Sequence, residues 1–231
     1  MAKVWSAPPQ PDLPSGTFPA VQPGALRPGP LPSAMLSPLC VYCGAAKGKR
    51  REYADAARAF GRVMARRGVG LVYGGGSVGL MGVVADALIE AGAGDSIVGV
   101  ITRELLDKEL GHRGIRDLRI VDSMHQRKKA MADIARGFVA LPGGVGTLDE
   151  LFEIITWAQL AIHDCPIGVL NVKVDGKGFY DDLIRFLDHC AAEEFLRIDP
   201  RRALVVDDDP DRLLDRMSTQ PAVERFGWKR T

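Results

Sequence analysis

The chain has almost no net charge, few histidines and cysteines, and no long apolar run, and each shortage removes a class of function. Its 30 Lys and Arg stand against 29 Asp and Glu, a net +1 at neutral pH, so the totals carry no footprint for nucleic acid or for an anionic membrane surface. Histidines occur only at 112, 125, 163 and 189, and cysteines only at 40, 43, 165 and 190. None of these falls into the spacing of a metal site or a catalytic triad. Cys40 and Cys43 form a C-x-x-C, but it lies inside the apolar run 39–43, which reads as a strand, so the pair is taken as reduced core thiols. No metal and no cofactor is assigned. No stretch after the N-terminal segment reaches the roughly eighteen apolar residues of a membrane helix. The expectation is a soluble, cytoplasmic protein acting on a small molecule, with neither nucleic acid nor membrane as partner.

Residues 1–38 hold ten of the fifteen prolines and only three charges, Lys3, Asp12 and Arg27. Such a segment cannot build a core, and it lacks both the apolar stretch of a secretory signal and the arginines of a transit peptide. It reads as a flexible tail before a domain at 39–220 and a short C-terminal tail at 221–231. From residue 39 onward, short β-rich runs alternate with longer helical ones, the pattern of an α/β parallel sheet wrapped by crossover helices. Strands are expected at 39–43, 69–73, 96–101, 118–121, 138–141, 167–171 and 203–206. Helices are expected at 52–67, 80–91, 124–135, 148–160, 180–193 and 211–217. The first helix is predicted to bury Ala56, Ala59, Phe60, Val63 and Met64.

In open sheets of this kind ligands bind where strands run into helix N-termini. Two of those turns are rich in glycine: G-G-G-S-V-G-L-M-G at 74–82 and P-G-G-V-G-T-L-D-E at 142–150. Glycine brings backbone close to a ligand, and the first amides of a helix lack partners, a combination suited to phosphate. By this reading Gly75, Gly76 and Ser77 are candidate contacts, although capping the following helix is the commoner role for a serine placed like Ser77. Neither loop is a Walker A sequence, and 74–76 misses the dinucleotide spacing. Each loop also reads as a plain strand-to-helix turn.

Arg127, Lys128 and Lys129 sit near the start of a helix, where cations oppose the macrodipole at a cost of about 0.3–1 kcal/mol each. An anionic ligand would offset this, and solvated surface charge is the alternative. Thr147-Leu148-Asp149-Glu150 spells a capping box, which would give Glu150 a structural task. The same position also holds a carboxylate at the mouth of a glycine loop, and spacing alone leaves both roles open.

The segments Val41-Tyr42-Cys43-Gly44, Val72 to Gly82, Met124-His125-Gln126-Arg127-Lys128, Pro142 to Glu150, Ile155 to Leu160 and Pro166 to Val172 occur in an order that resembles the Lonely Guy family. The resemblance covers nearly everything after residue 38. It implies a Rossmann-like, doubly wound homodimer that hydrolyses cytokinin riboside 5′-monophosphates, and AMP as well, to free base and ribose 5-phosphate. It also implies that Arg127 and Glu150 are catalytic, and that Glu109, Lys128, Gly143, Gly144, Val145, Gly146, Thr147 and Thr156 contact the nucleotide. Two departures stand out: Gly44-Ala45-Ala46 replaces the usual Gly-Ser-Ser, and 172–178 lengthens a short link.

Overall fold

A computed structural model describes residues 36–221, apart from Glu109 and Arg197. Its elements are β1 (Leu39–Tyr42), α1 (Arg51–Arg66), β2 (Leu71–Tyr73), α2 (Gly79–Glu90), β3 (Ile97–Thr102), α3 (Arg103–Asp107), β4 (Asp117–Val121), α4 (Met124–Ile134), β5 (Gly137–Ala140), α5 (Val145–Gln159), β6 (Ile167–Leu170), β7 (Lys173–Val174), β8 (Lys177–Gly178), α6 (Asp181–Ala192), α7 (Pro200–Ala203), β9 (Val205–Asp207) and α8 (Pro210–Ser218). Seven strands pair in parallel in the order β4-β3-β2-β1-β5-β6-β9. These are the seven expected strands.

Alternation along the strands divides the core. Leu39, Val41, Val139 and Leu141 pack with α1, α2 and α8 on one face, while Cys40, Tyr42, Phe138 and Ala140 pack with α4, α5 and α7 on the other. Strands buried on both faces are uniformly apolar for that reason. Each fully buried Leu, Val, Ile or Phe contributes about 1.5–3 kcal/mol against chain entropy.

Helix α1 buries Phe60, Val63 and Met64 as expected, but Ala57 and Gly61 complete the inward face while Ala56 is half-buried and Ala59 exposed. Gly61 sets this face, because a Cβ there would lie 2.8 Å from both Ala87 Cβ and Val84 O on α2. Packing against the core begins before residue 39. Leu36 is buried in the core and the Ser37 hydroxyl accepts from the Gly70 amide, so the boundary drawn at residue 38 lies too late. The rest of the expected tail, 1–35, and residues 222–231 lie outside the described residues. Segment 172–178 contains a two-stranded antiparallel hairpin, β7-β8, and α3 and α7 are single-turn helices too short to leave a periodic signal.

Sheet order reverses between β1 and β5, so a crevice opens outside their carboxyl ends. The glycine loops converge there.

Candidate active site

The loops following β1, β2 and β5 are bonded to one another. The Gly44 amide donates to Pro142 O at 3.0 Å, and Gly44 O accepts from the Leu80 amide at 2.9 Å. Gly79 has φ +63 and lies so close to the first loop that a Cβ would stand 2.2 Å from the Ala45 carbonyl carbon. A side chain is excluded there by conformation and by space.

Helix α5 begins at Val145, three residues before the expected start, with Gly144 as its N-cap. Thr147 is therefore the third helical residue and buried, and Glu150 is well inside the helix. The capping-box reading of Thr147 to Glu150 fails on this geometry. Gly143 is sterically required, since a Cβ would fall 2.1 Å from Thr147 Oγ1 and 2.9 Å from the Gly44 nitrogen. Gly144 and Gly146 are different: both are exposed, neither has positive φ, and a Cβ on either would meet nothing within 4 Å. The fold places no demand for glycine at these two positions. What their bareness leaves open is the first turn of α5, whose amides at Val145, Gly146 and Thr147 have no intrahelical acceptor. That surface suits an anion.

Behind it stand two buried charges. The Arg127 and Glu150 side chains are only 9% and 11% exposed, and Nη1 of Arg127 donates to Glu150 Oε1 at 3.2 Å. Arg127 Nε donates to the Val100 carbonyl at 3.0 Å, which ties α4 to β3. Burial pushes the Glu150 carboxyl above the ordinary glutamate range; the Arg127 guanidinium pulls it back and the neighbouring Asp149 pushes it up again. Removing one member of such a pair costs about 3–5 kcal/mol because the other charge is stranded.

Lys128 Nζ is held between Asp149 (3.1 Å) and Glu153 (3.2 Å) of α5, and Lys129 pairs with Asp133. The cations near the start of α4 are thus answered by carboxylates of the protein itself. Ser123 caps that helix by accepting from the Gln126 amide.

The first glycine loop is built otherwise. Gly75 and Gly76 are buried, the Ser77 amide donates to Leu110 O, and Gly75 O accepts from the His112 amide. Ser77 does not cap α2, whose N-cap is Val78 with no side-chain bond; its hydroxyl lies 3.5 Å from Leu110 O. Thr156 is exposed further along α5, its hydroxyl donating to Phe152 O. Glu109 lies outside the described residues. Burial pushes the Cys40 and Cys43 thiols far above the ordinary range, so neither supplies a thiolate. Among the described residues no cluster of three or more His, Cys, Asp or Glu is arranged to hold a metal ion.

The structure thus brings together Arg127, Lys128, Glu150 and the stretch from Gly143 to Thr147. Sequence reasoning missed the Val100 carbonyl and the Asp149 and Glu153 clamp on Lys128. Glu153 was within reach, because Asp149 and Glu153 are four apart and share a helix face; the Val100 contact leaves no local signal.

A family model described as "Possible lysine decarboxylase" matches residues 81–217. A protein of Oryza sativa subsp. japonica named cytokinin riboside 5′-monophosphate phosphoribohydrolase LOG is 47% identical over 167 residues, which span 72% of this chain and 66% of that protein. The chain belongs to the Lonely Guy family. A second member of this family with the same activity in its name, LOG4 of Arabidopsis thaliana, is 45% identical over 72% of this chain and 75% of its own. Among solved structures, the molybdenum cofactor binding protein of Rippkaea orientalis superposes with a TM-score of 0.56 at 15% identity, covering 78% of this chain and 95% of that one. At that identity the likeness is one of fold, and it places the Lonely Guy chain among open sheets of the same build.

Proposed function

We propose that the chain hydrolyses the N-glycosidic bond of cytokinin riboside 5′-monophosphates, and of AMP, to free base and ribose 5-phosphate. The observation that carries this reading is the buried Arg127–Glu150 pair beside the open first turn of α5, in a chain whose Lonely Guy relatives bear that activity in their names. The 5′-phosphate docks on the amides of Val145 to Thr147, with Gly143 and Gly144 shaping the approach. Ribose then lies toward Glu150. As the bond to the base lengthens, C1′ gains positive charge that the ionised Glu150 stabilises. Water adds to C1′, one of its protons ends on the departing base, and the other oxygen–hydrogen bond remains in the sugar. Arg127 orients the Glu150 carboxylate and keeps it ionised. The reaction needs only water as co-reactant.

Decarboxylation of lysine, the activity in the family model's description, would need a lysine free to form a Schiff base and a partner for a pyridine nitrogen. Lys128, beside the site, is clamped by two carboxylates.

The working unit is read as a homodimer in the cytoplasm. The family resemblance supports this reading, and Leu160 and Ile162, neighbours beyond the C-terminal end of α5, are exposed apolar side chains that a second copy would cover. Light scattering of the purified chain measures this, and a monomer at micromolar concentration would remove it.

The functional test incubates purified protein with AMP, with isopentenyladenosine 5′-monophosphate, with the corresponding nucleosides, and with lysine, resolving products by chromatography. Free base and ribose 5-phosphate from the monophosphates alone are expected. Cleavage of nucleosides at equal rate, or of nothing, would overturn the reading.

A further inference from the structure

The proposed reaction leaves the first glycine loop without a task, and the packing around Gly74 supplies one. A Cβ on Gly74 would stand 1.9 Å from Arg127 Nη2, 3.1 Å from its Cζ and 3.3 Å from Met81 Sδ. The guanidinium cannot retreat without loss. Its Nε is bonded to Val100 O and its Nη1 to Glu150, and because the group is planar these two bonds fix where Nη2 must lie. That place is the space left by the missing side chain of residue 74. The next glycine serves packing as well: Gly75 has φ +70 and a Cβ there would lie 2.9 Å from Leu118 Cδ1.

We propose that Gly74 is a positioning residue for the hydrolysis: it is the socket that seats the Arg127 guanidinium against Glu150, and the glycine loop after β2 serves that arginine rather than a phosphate. The inference rests on the hydrolase reading for its kinetic arm alone. A phosphate-binding loop and a socket respond differently to one added methyl group. In the first case substrate binding weakens; in the second, Arg127 swings away, KM is little changed, and the Glu150 carboxyl loses the cation that holds it down.

The variants are Gly74→Ala, Arg127→Lys, the double variant, and Gly94→Ala. Gly94 has no positive φ and its Cβ would meet its nearest atom at 3.5 Å, so it reports the generic effect of the change. Each is measured for kcat and KM with AMP, and for the titration of the Glu150 carboxyl by carbon NMR. Because the atoms met most closely by the new methyl are the far end of a flexible side chain, Gly74→Ala is expected to fold. It should lose about tenfold or more in kcat with KM changed less than about threefold, and its Glu150 titration should move to higher pH, as in Arg127→Lys. The double variant should match Arg127→Lys within about twofold, since lysine has no Nη2 to displace. Additive losses, a rise in KM alone, or an unmoved Glu150 titration in folded Gly74→Ala would overturn the socket. If Gly74→Ala does not fold, Arg127→Lys must restore folding, and failure to do so also overturns it. Wild-type protein that cleaves no nucleotide would sink the hydrolase reading, while the carboxyl titration still decides the socket.

Discussion

Arg127 and Glu150 meet at 3.2 Å from two helices, α4 and α5, that follow the edge strand β4 and the central strand β5. Each charge is nearly out of solvent and each is the other's partner. Glu150→Gln keeps the shape of that contact and removes its charge. We expect the variant to fold and to lose at least about a hundredfold in kcat, because stabilisation of the developing charge at C1′ disappears. Steady-state kinetics with AMP beside a circular dichroism melt check this, and turnover within tenfold of wild type would remove Glu150 from the chemistry.

The pH dependence follows from burial. Desolvation raises the Glu150 carboxyl, with Arg127 opposing, so the acid limb of kcat/KM should fall above the ordinary glutamate value of about 4.3. The stability effect has the opposite sense. A carboxyl raised in the folded state contributes most below its unfolded value and loses that contribution as pH rises through the folded one. The stability of wild type relative to Glu150→Gln should therefore improve as pH is lowered, which paired melts between pH 4 and 7, on the order of the range where such groups titrate, would reveal or refute.

Glycines 143, 144 and 146 separate folding from binding. Gly143→Ala meets both Thr147 and the Gly44 backbone, and should destabilise by about 1–3 kcal/mol. Alanine at 144 or 146 meets nothing in the chain, so it should leave the melting temperature within a few degrees while raising KM for the nucleotide. Unchanged KM in both would show that the ligand does not approach that turn.

His163 offers a test of the fold away from the site. Burial lowers its pKa; Nδ1 accepts from the Cys165 amide, and Nε2 lies 2.9 Å from Ile154 O. Protonation would break the first bond. Since the folded value is depressed, its stabilisation is present above about pH 6.5 and is lost as pH falls below that. Wild type should lose melting temperature faster than His163→Gln on acidification, and parallel slopes would count against it.

The sheet was legible because its inner strands β1, β2, β5 and β6 are buried and apolar on both faces. The start of α5 was misplaced because Thr147-Leu148-Asp149-Glu150 imitates a capping box, while the true cap, Gly144, has no side chain to announce itself. Arg127 and Glu150 were visible through the family resemblance, but the seating of Arg127 on Val100 and Gly74 was not. Those contacts join residues far apart in the chain and leave no period or local pattern. Lys128 was read either as a cation awaiting an anion or as solvated surface charge, and Asp149 and Glu153, also remote in sequence, answer it within the fold.

The pairing of Leu39 with both Leu71 and Gly137 bears on how the protein is made. β1 leaves the ribosome first of the seven strands and gains its β2 neighbour early, yet its other edge stays bare until β5 has been synthesised. During that interval a short, wholly apolar strand presents unpaired backbone to its surroundings. Closure of that edge is also what joins the loop after β1 to the second glycine loop, at Gly44 and Pro142, so the nascent chain stops being sticky and acquires its crevice in the same event.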